Sequence, residues 1–332
     1  MNILGIETSC DETAASIVAN GRRILSNIVV SSLKEHKNFG GIIPELASRR
    51  QLEYVNPIVR QSLDNAKLKL NNIDAVAVTV RPGLIGSLLV GISFARALSF
   101  ALRKPLAEVD HIQAHLYANF LTSRERAEDV PSDFPPTLPA VGLVVSGGHT
   151  SLFYLKNFKN FKLLGQTLDD AAGESFDKVA RILGLDYPGG PAIDRLASTV
   201  QKTTIRFTCA PLPDTLNFSF SGIKTAVLYF KRNDKDQSRF PTAEVAYAFQ
   251  DSVVEILVKK CLLACQVAKT KTLLIGGGVA ANSRLRQRLT LEVEKQGIKV
   301  YFPPLALCMD NAAMIAGLGF HSLKKSKRGA RL

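Results

Sequence analysis

NILGIETSCDETAASIVANGRRILSNIVVSS (residues 2–32) carries the reading of the fold. Three apolar runs, NILGIE, AASIVA and RILSNIVVSS, are separated by the small polar turn TSCDET and by Asn20-Gly21. Asn-Gly between strand-forming runs is a strong hairpin signal, because both residues tolerate the positive φ of a type I′ turn. The plan returns as PAVGLVVSGGHTSLFYLKNFKNFKLLGQTL (residues 139–168). Two copies of one three-strand meander predict a duplicated, two-lobe α/β fold. Behind the first copy the pattern predicts a helix from about Pro44 to Asn65, the buried strand IDAVAVTV, the helix LIGSLLVGISFARALSFAL packed on most faces, and the strand PLAEVD. Behind the second it predicts helices near 174–184, 191–200, 221–231 and 242–268, the strand TLLIG, a basic amphipathic helix, the strand KVYFPP and a helix from about Asp310. This alternation predicts mixed sheets flanked by helices. The expected lobes are residues 1–121 and 140–310, joined by the charged, proline-rich stretch 122–139, with the helix 311–332 a candidate to pack back on the first lobe.

The 332 residues are 46% hydrophobic and 21% charged, an ordinary globular balance. No run of 18 apolar residues occurs, so no transmembrane helix is expected. Met1 leads straight into strand NILGIE with no leader pattern. Cys10, Cys209, Cys261, Cys265 and Cys308 are scattered and lack CxxC spacing, which suits reduced thiols inside a cell. The net charge of +13 gathers at Lys156, Lys159 and Lys162, at Lys231-Arg232 and in the tail KKSKRGARL. A surplus of this size points to a polyanionic partner, most simply nucleic acid.

His111 and His115 stand four residues apart in VDHIQAHLYANF, at the predicted start of a helix. Four residues are about one turn, so both imidazoles leave the same face and can share one ion; two histidines on a polar face are the plainer reading. Asp310 is either the N-cap of the last helix or a third ligand. A His-His-Asp set with open positions takes Zn²⁺ or Fe²⁺ and polarises a bound oxygen. Ile112 fills the slot that a HExxH metalloprotease gives to glutamate, which argues against that class. Three turns follow apolar strands: Thr8–Thr13, Ser146–Thr150 and Gly276–Asn282. Their small residues let backbone N–H groups approach phosphate or adenosine, although each alone also reads as a tight turn. None fits the Walker or GxGxxG pattern. Around Gly189-Gly190 stand Asp169, Asp170, Glu174, Asp177 and Asp194; Asp170 or Glu174 would serve as a helix cap, and an acid facing a sugar would accept from a ribose hydroxyl.

IETSCDET, GGIIPELASR, HIQAH, LVVSGGHT, DDAAGESFDKVARILGLDYPGGP, FSFSGIKTA, GGGVAAN and MDNAAMIA occur in this order. Together they resemble the universal tRNA threonylcarbamoyladenosine transferase family, once described as O-sialoglycoprotein endopeptidases, in its bacterial or organellar branch. The resemblance implies an actin-like, sugar-kinase-like (ASKHA) fold. It implies transfer of a threonylcarbamoyl group from threonylcarbamoyl-AMP to N6 of adenosine 37 in tRNAs reading codons that begin with A. By motif match, His111, His115 and Asp310 hold one divalent ion, Fe²⁺ or Zn²⁺. Val144, Val145, Ser146, Gly147 and Gly148 line the nucleotide site, which ATP, ADP or AMP can also occupy. Asp177, Gly190, Asp194 and Asn282 contact the adenosine, Asp11 and Glu12 face the reaction centre as catalytic acids, and Lys224 meets an anionic group. The implied partners are tRNA with a metal-site-lacking paralogue and a small P-loop ATPase in bacteria, or a homodimer in organelles, and no membrane. The expected location is the bacterial cytoplasm, with the organellar matrix as the alternative. The competing reading is a non-catalytic actin-like nucleotide-binding scaffold. Four positions depart from the family pattern: Gln51 replaces a common His, Arg81 a common Gly, Asp110 a further His, and Ala312 a common Gly.

Overall fold

The computed structural model describes residues 1–36, 39, 41–123, 134–233 and 240–323. The tail KKSKRGARL and residues 124–133 of the expected connection lie outside the described residues. The chain divides into two compact units, Met1–Pro136 with Pro303–Leu332, and Thr137–Phe302.

In the first unit, β1 (Asn2–Glu7), β2 (Glu12–Ala19) and β3 (Arg23–Ser31) form the antiparallel meander read from the sequence. Asn20 and Gly21 have φ of 53° and 75°, the positive values that an Asn-Gly hairpin turn requires. Then follow α1 (Leu33–His36), α2 (Pro44–Ala66), β4 (Ala75–Arg81), α3 (Ile85–Leu102), β5 (Leu106–Asp110), α4 (His111–Tyr117) and the short β6 (Thr122–Ser123). The six strands lie in the order β5-β4-β1-β2-β3-β6, with β4 parallel to β1 and β5 parallel to β4. The carboxyl ends of β1, β4 and β5 therefore share one edge of the sheet, where α/β folds place their ligands.

Alternation along β1 covers both faces of this sheet. Leu4 packs with Ile58, Val59 and Leu63 of α2, and Ile6 packs with Val55 of α2 and Ala95 of α3. Each fully buried Ile or Leu contributes roughly 1.5–3 kcal/mol. Gly5 faces the other way, toward α10 (Ala312–Leu323). A Cβ there would lie 2.3 Å from the carbonyl oxygen of Ala312, so glycine is what lets α10 settle on β1. That contact seats the last helix, and the residues just before it, on the first sheet.

The helix α3 differs from the sequence reading. Only Ser87, Gly91 and Ala95 are buried, a line of small residues at i, i+4 and i+8 that permits close approach to β4 and α2. The side chains of Ile85, Leu89 and Phe100 stay exposed, at 79%, 57% and 88%. Among the described residues this one helix is long and apolar enough to cross a membrane by length and composition. Its Arg96 pairs with Glu108 of β5 at 3.1 Å, as suits a helix laid along a sheet.

The second unit repeats the plan. Its β7 (Ala140–Val145), β8 (Thr150–Asn157) and β9 (Asn160–Gln166) form the second antiparallel meander. After them come α5 (Ala172–Leu183), α6 (Gly189–Ala197), α7 (Ser221–Asn233), α8 (Thr242–Ala268), β10 (Thr272–Gly276), α9 (Ser283–Glu294) and β11 (Lys299–Tyr301). The sheet order is β11-β10-β7-β8-β9, with β10 parallel to β7 and β11 parallel to β10. Five strands of each sheet thus follow the same order and sense, which is the duplication read from the paired meanders.

Tyr117 of α4 ties three parts of the first unit together. Its buried hydroxyl donates to the carbonyl of Gly21 in the hairpin at 2.8 Å and lies 2.9 Å from Nε2 of His321 on α10. Tyr117→Phe keeps the ring but leaves both partners without that hydroxyl. The expected cost is about 1–2 kcal/mol, read as a lower denaturant midpoint; an unchanged midpoint would show that the hydroxyl ties nothing.

Candidate active site

Strand β5 ends at Asp110, whose Oδ1 accepts from the backbone N–H groups of Ile112 and Gln113 at 3.0 and 3.2 Å. This N-cap starts α4 at His111 and fixes the direction in which both histidines leave the helix. Nε2 of His111 lies 3.1 Å from Nε2 of His115. Oδ1 of Asp310 lies 3.4 Å from the first and 3.2 Å from the second. A tetrahedral ion with bonds of about 2.0–2.1 Å needs ligand-to-ligand edges of about 3.3 Å, so the triangle has the right size for one. Among the described residues, this cluster of His and Asp side chains could hold a metal ion. Asp310 is not the helix cap. Asn311 takes that role, accepting from the N–H of Met314 at 3.0 Å, which leaves the Asp310 carboxylate to the histidines.

The electrostatics are those of a crowded acidic pocket. Burial disfavours an imidazolium at His111, but Asp310 and Glu7 outweigh it and hold His111 above the usual imidazole range. Burial, with His111 nearby, lowers His115. Burial alone would raise Asp310; His111 and His115 instead keep it far below the usual carboxylate range. Glu12 is pushed up to about 10, first by burial and then by Asp310 and Asp11. Burial and Asp11 also raise the Cys10 thiol. A divalent cation is the natural counter-charge for this many buried acids.

Asp11 and Glu12 are buried, and the turn that bears them is tied down at its carbonyls. Nε2 of Gln51 lies 3.4, 2.8 and 3.2 Å from the carbonyl oxygens of Thr8, Cys10 and Glu12. The N–H of Leu84 donates to Ser9 and that of Ser32 to Asp11. Sequence reasoning passed over Glu7, the last residue of β1, because it closes an apolar strand. It is fully buried and lies 2.9 Å from Nδ1 of His111. The signal in the sequence is an acid at the end of a strand that is otherwise apolar.

In the second unit, the Ser146–Thr150 turn is closed by Ser146 N–H to His149 O at 2.8 Å and His149 N–H to Ser146 Oγ at 3.1 Å. The N-terminus of α5 lies against it: Gly173 N–H donates to Ser146 O at 3.1 Å, and Ala172 N–H to Thr150 Oγ1 at 2.9 Å. Val144 and Val145 are fully buried in β7. A Cβ built on Gly147, Gly148 or Gly190 would meet nothing within 4 Å, so these backbones face open space. Asp177 accepts from Gly189 N–H at 2.7 Å, and burial raises its pKa. Asp194 binds the N–H and hydroxyl of Ser283 at 3.0 and 2.8 Å. Asn282 caps α9 through Leu285 N–H at 2.9 Å and donates to Gln250 at 2.8 Å. Asp177 of α5 thereby holds the start of α6, and Asp194 of α6 holds the start of α9. Of the two candidate caps, Glu174 lies 3.4 Å from Ala171 N, whereas Asp170 pairs with Lys178 at 2.7 Å and with Lys224 at 3.5 Å. Asp169 anchors FSFSG, binding the N–H and hydroxyl groups of Ser221, the N–H of Phe220 and the hydroxyl of Ser219.

The sequence profile of the family described as tRNA N6-adenosine threonylcarbamoyltransferase matches residues 23–317. A Clostridium botulinum protein of that name is 48% identical over 330 residues, 99% of this chain and 94% of its own length. The chain belongs to this family. A Dictyoglomus turgidum member is 49% identical over 326 residues, covering 98% of this chain and 94% of its own. Among solved structures, component A of the Acidaminococcus fermentans (R)-2-hydroxyglutaryl-CoA dehydratase superposes with a TM-score of 0.56 at 17% identity, covering 98% of each chain. Full-length HypF in a phosphate- and nucleotide-bound form gives 0.63 at 14% identity, covering 100% of this chain and 47% of its own. These likenesses establish the actin-like, sugar-kinase-like fold.

Two of the positions expected to depart from the family pattern, Arg81 and Asp110, are paired. Nε of Arg81 lies 3.1 Å from Oδ2 of Asp110, and the two residues stand opposite each other across a bulge between β4 and β5. A third departure, Gln51, is the residue that straps the acidic turn.

The glycines of the second unit separate into two kinds. Gly277 has φ of +91°, and a Cβ there would lie 2.4 Å from Val145 O; Gly148 has open space. Gly277→Ala is expected to cost about 1–3 kcal/mol and Gly148→Ala less than about 0.5 kcal/mol, measured as denaturant midpoints. Equal costs would contradict this division.

Proposed function

We propose that this chain transfers the threonylcarbamoyl group from threonylcarbamoyl-AMP to N6 of adenosine 37 in tRNAs reading codons that begin with A. The carrying observation is the His111–His115–Asp310 triangle in a member of this family, sized for one ion. We assign one divalent ion, Fe²⁺ or Zn²⁺, to these three ligands. When bound, it supplies a Lewis acid that stabilises charge on the carbamoyl oxygen.

The nucleotide is assigned to the second unit. Gly147, Gly148 and Gly190 leave room for phosphate or ribose to approach the backbone closely. Ser146, with Val144 and Val145 behind it, shapes the turn. Asp177, Asp194 and Asn282 hold the helix starts and offer acceptors to the adenosine. ATP, ADP or AMP can take the same place. The amine N6 is a weak nucleophile, because its lone pair is delocalised into the purine. A bond forms between N6 and the carbamoyl carbon; the bond from that carbon to the phosphate oxygen breaks; AMP leaves with the electron pair. Asp11 and Glu12 are assigned as the acids that face the reaction centre, with Asp11 to take the proton that N6 loses.

The +13 surplus suits attraction of a tRNA backbone to the chain. Base 37 lies in the anticodon loop, where unpaired bases can be splayed out for an enzyme. A metal-site-lacking paralogue and a small P-loop ATPase are assigned as protein partners, and the apolar side chains exposed on α3 support a protein partner. The bacterial relatives support a cytoplasmic location. The position of Ile112 argues against proteolysis, and the ligand triangle against a non-catalytic scaffold.

His111→Ala, supplied with threonylcarbamoyl-AMP, tRNA and the partner proteins, is expected to lose at least 100-fold in the transfer rate while still folding, as read by its circular dichroism spectrum. Mass spectrometry of digested tRNA nucleosides reads the product. Wild-type levels of modified nucleoside from this variant would refute the assignment.

A further inference from the structure

Two imidazoles share the triangle, but they are not held alike. Nδ1 of His115 is buried and has no hydrogen-bond partner among the described residues. Nδ1 of His111 lies 2.9 Å from Oε2 of Glu7 and 3.2 Å from Oγ of Ser9. Glu7 in turn is anchored from two sides. Its Oε1 accepts from the N–H of Ser9 at 2.5 Å and its Oε2 from the hydroxyl of Thr79 at 2.6 Å. These partners come from the ends of β1 and β4, and His111 follows the end of β5, so the parallel register of three neighbouring strands assembles the group.

A carboxylate only accepts hydrogen bonds, so a hydrogen bond between Glu7 and His111 must be donated by Nδ1–H. That commits Nδ1 to Glu7 and leaves Nε2 as the nitrogen that faces Asp310 and His115, the one that a cation displacing its proton would meet. A histidine held in this way is both correctly oriented and more basic as a ligand.

We propose that Glu7 is the positioning residue of the metal site, fixing the tautomer and ring orientation of His111 so that Nε2 is presented to a divalent cation. The proposal rests on the reading of His111, His115 and Asp310 as ligands. Glu7 acts through His111 and touches neither the ion nor the substrate. The asymmetry is part of the proposal: the Nδ1 side of His111 is held by Glu7, whereas the Nδ1 of His115 has no such anchor among the described residues.

The test uses the full-length protein and Zn²⁺ or Co²⁺ as the probe. Affinity is measured by competition against a chromophoric chelator, alongside the visible spectrum of the Co²⁺ form and the unfolding midpoint without metal. Glu7→Gln keeps shape and volume but replaces the pure acceptor by an amide. Its Zn²⁺ affinity is expected to fall roughly 10- to 100-fold, with a changed Co²⁺ spectrum. Thr79→Val, which removes one anchor of Glu7 without touching His111, is expected to give a smaller loss in the same direction, and it serves if Glu7→Gln does not fold. A variant that unfolds more easily yet, when folded, binds Zn²⁺ as tightly as the parent with the same Co²⁺ spectrum would overturn the proposal, leaving Glu7 a structural role only. If the unaltered protein binds neither ion, the ligand reading itself fails, and the proposal falls with it. Unaltered binding in the parent with unaltered binding in Glu7→Gln refutes Glu7 alone.

Discussion

Three side-chain atoms from two distant parts of the chain, the ligands of the proposed ion, meet within hydrogen-bond distance, and the contacts of the first unit bring them there. His111 and His115 come from the start of α4, directed by the Asp110 cap. Asp310 comes from the segment before α10, and α10 reaches the sheet only because Gly5 lets its backbone touch β1. Tyr117 then ties α4, α10 and the Asn20-Gly21 hairpin to one another. Loosening any of these moves one corner of the triangle. Such dependence is costly, since buried acids and imidazoles repel or desolvate one another unless an ion or protons neutralise them. The crowding of Glu7, Asp11, Glu12 and Asp310 gives the site a reason to hold a cation beyond its geometry.

The two units carry different strand-tip turns on one plan. In the first unit the strand ends carry acids and histidines, and the turn after β1 is tied down through its carbonyls. In the second unit the corresponding turn, Ser146–Thr150, carries glycines with open space, and its carbonyl receives the start of α5. A carbonyl-tied acidic turn suits a metal and proton transfer. A glycine turn beside helix starts suits a nucleotide phosphate. Duplication followed by divergence at the strand tips accounts for both within a single sheet order.

Much of this was legible from residues alone. The Asn-Gly hairpin and the repeated apolar alternation specify both meanders, and the i, i+4 spacing brings the histidines together. Asp310 is ambiguous in one dimension, because a cap and a ligand look alike there; in the structure Asn311 takes the cap and Asp310 lies beside the histidines. Glu7 was hidden, since an acid ending a buried strand acquires meaning only when β4 and β5 bring Thr79 and His111 to it. The departures Arg81 and Asp110 read as unrelated changes until the β4–β5 register places them opposite each other. Helix α3 was misjudged because hydrophobicity signals contact without saying with what. Its buried line is made of the small residues Ser87, Gly91 and Ala95, while Ile85, Leu89 and Phe100 point to solvent and Phe94 and Leu98 are only partly covered.

The account stands on a single ion held by two imidazoles and one carboxylate. X-ray absorption at the zinc edge of the metal-loaded protein reads that ligand set directly. The prediction is nitrogen and oxygen neighbours at about 2.0–2.1 Å with the outer-shell scattering of two imidazole rings. Sulfur neighbours at about 2.3 Å, which would draw in Cys10, or a spectrum without imidazole scattering would contradict it.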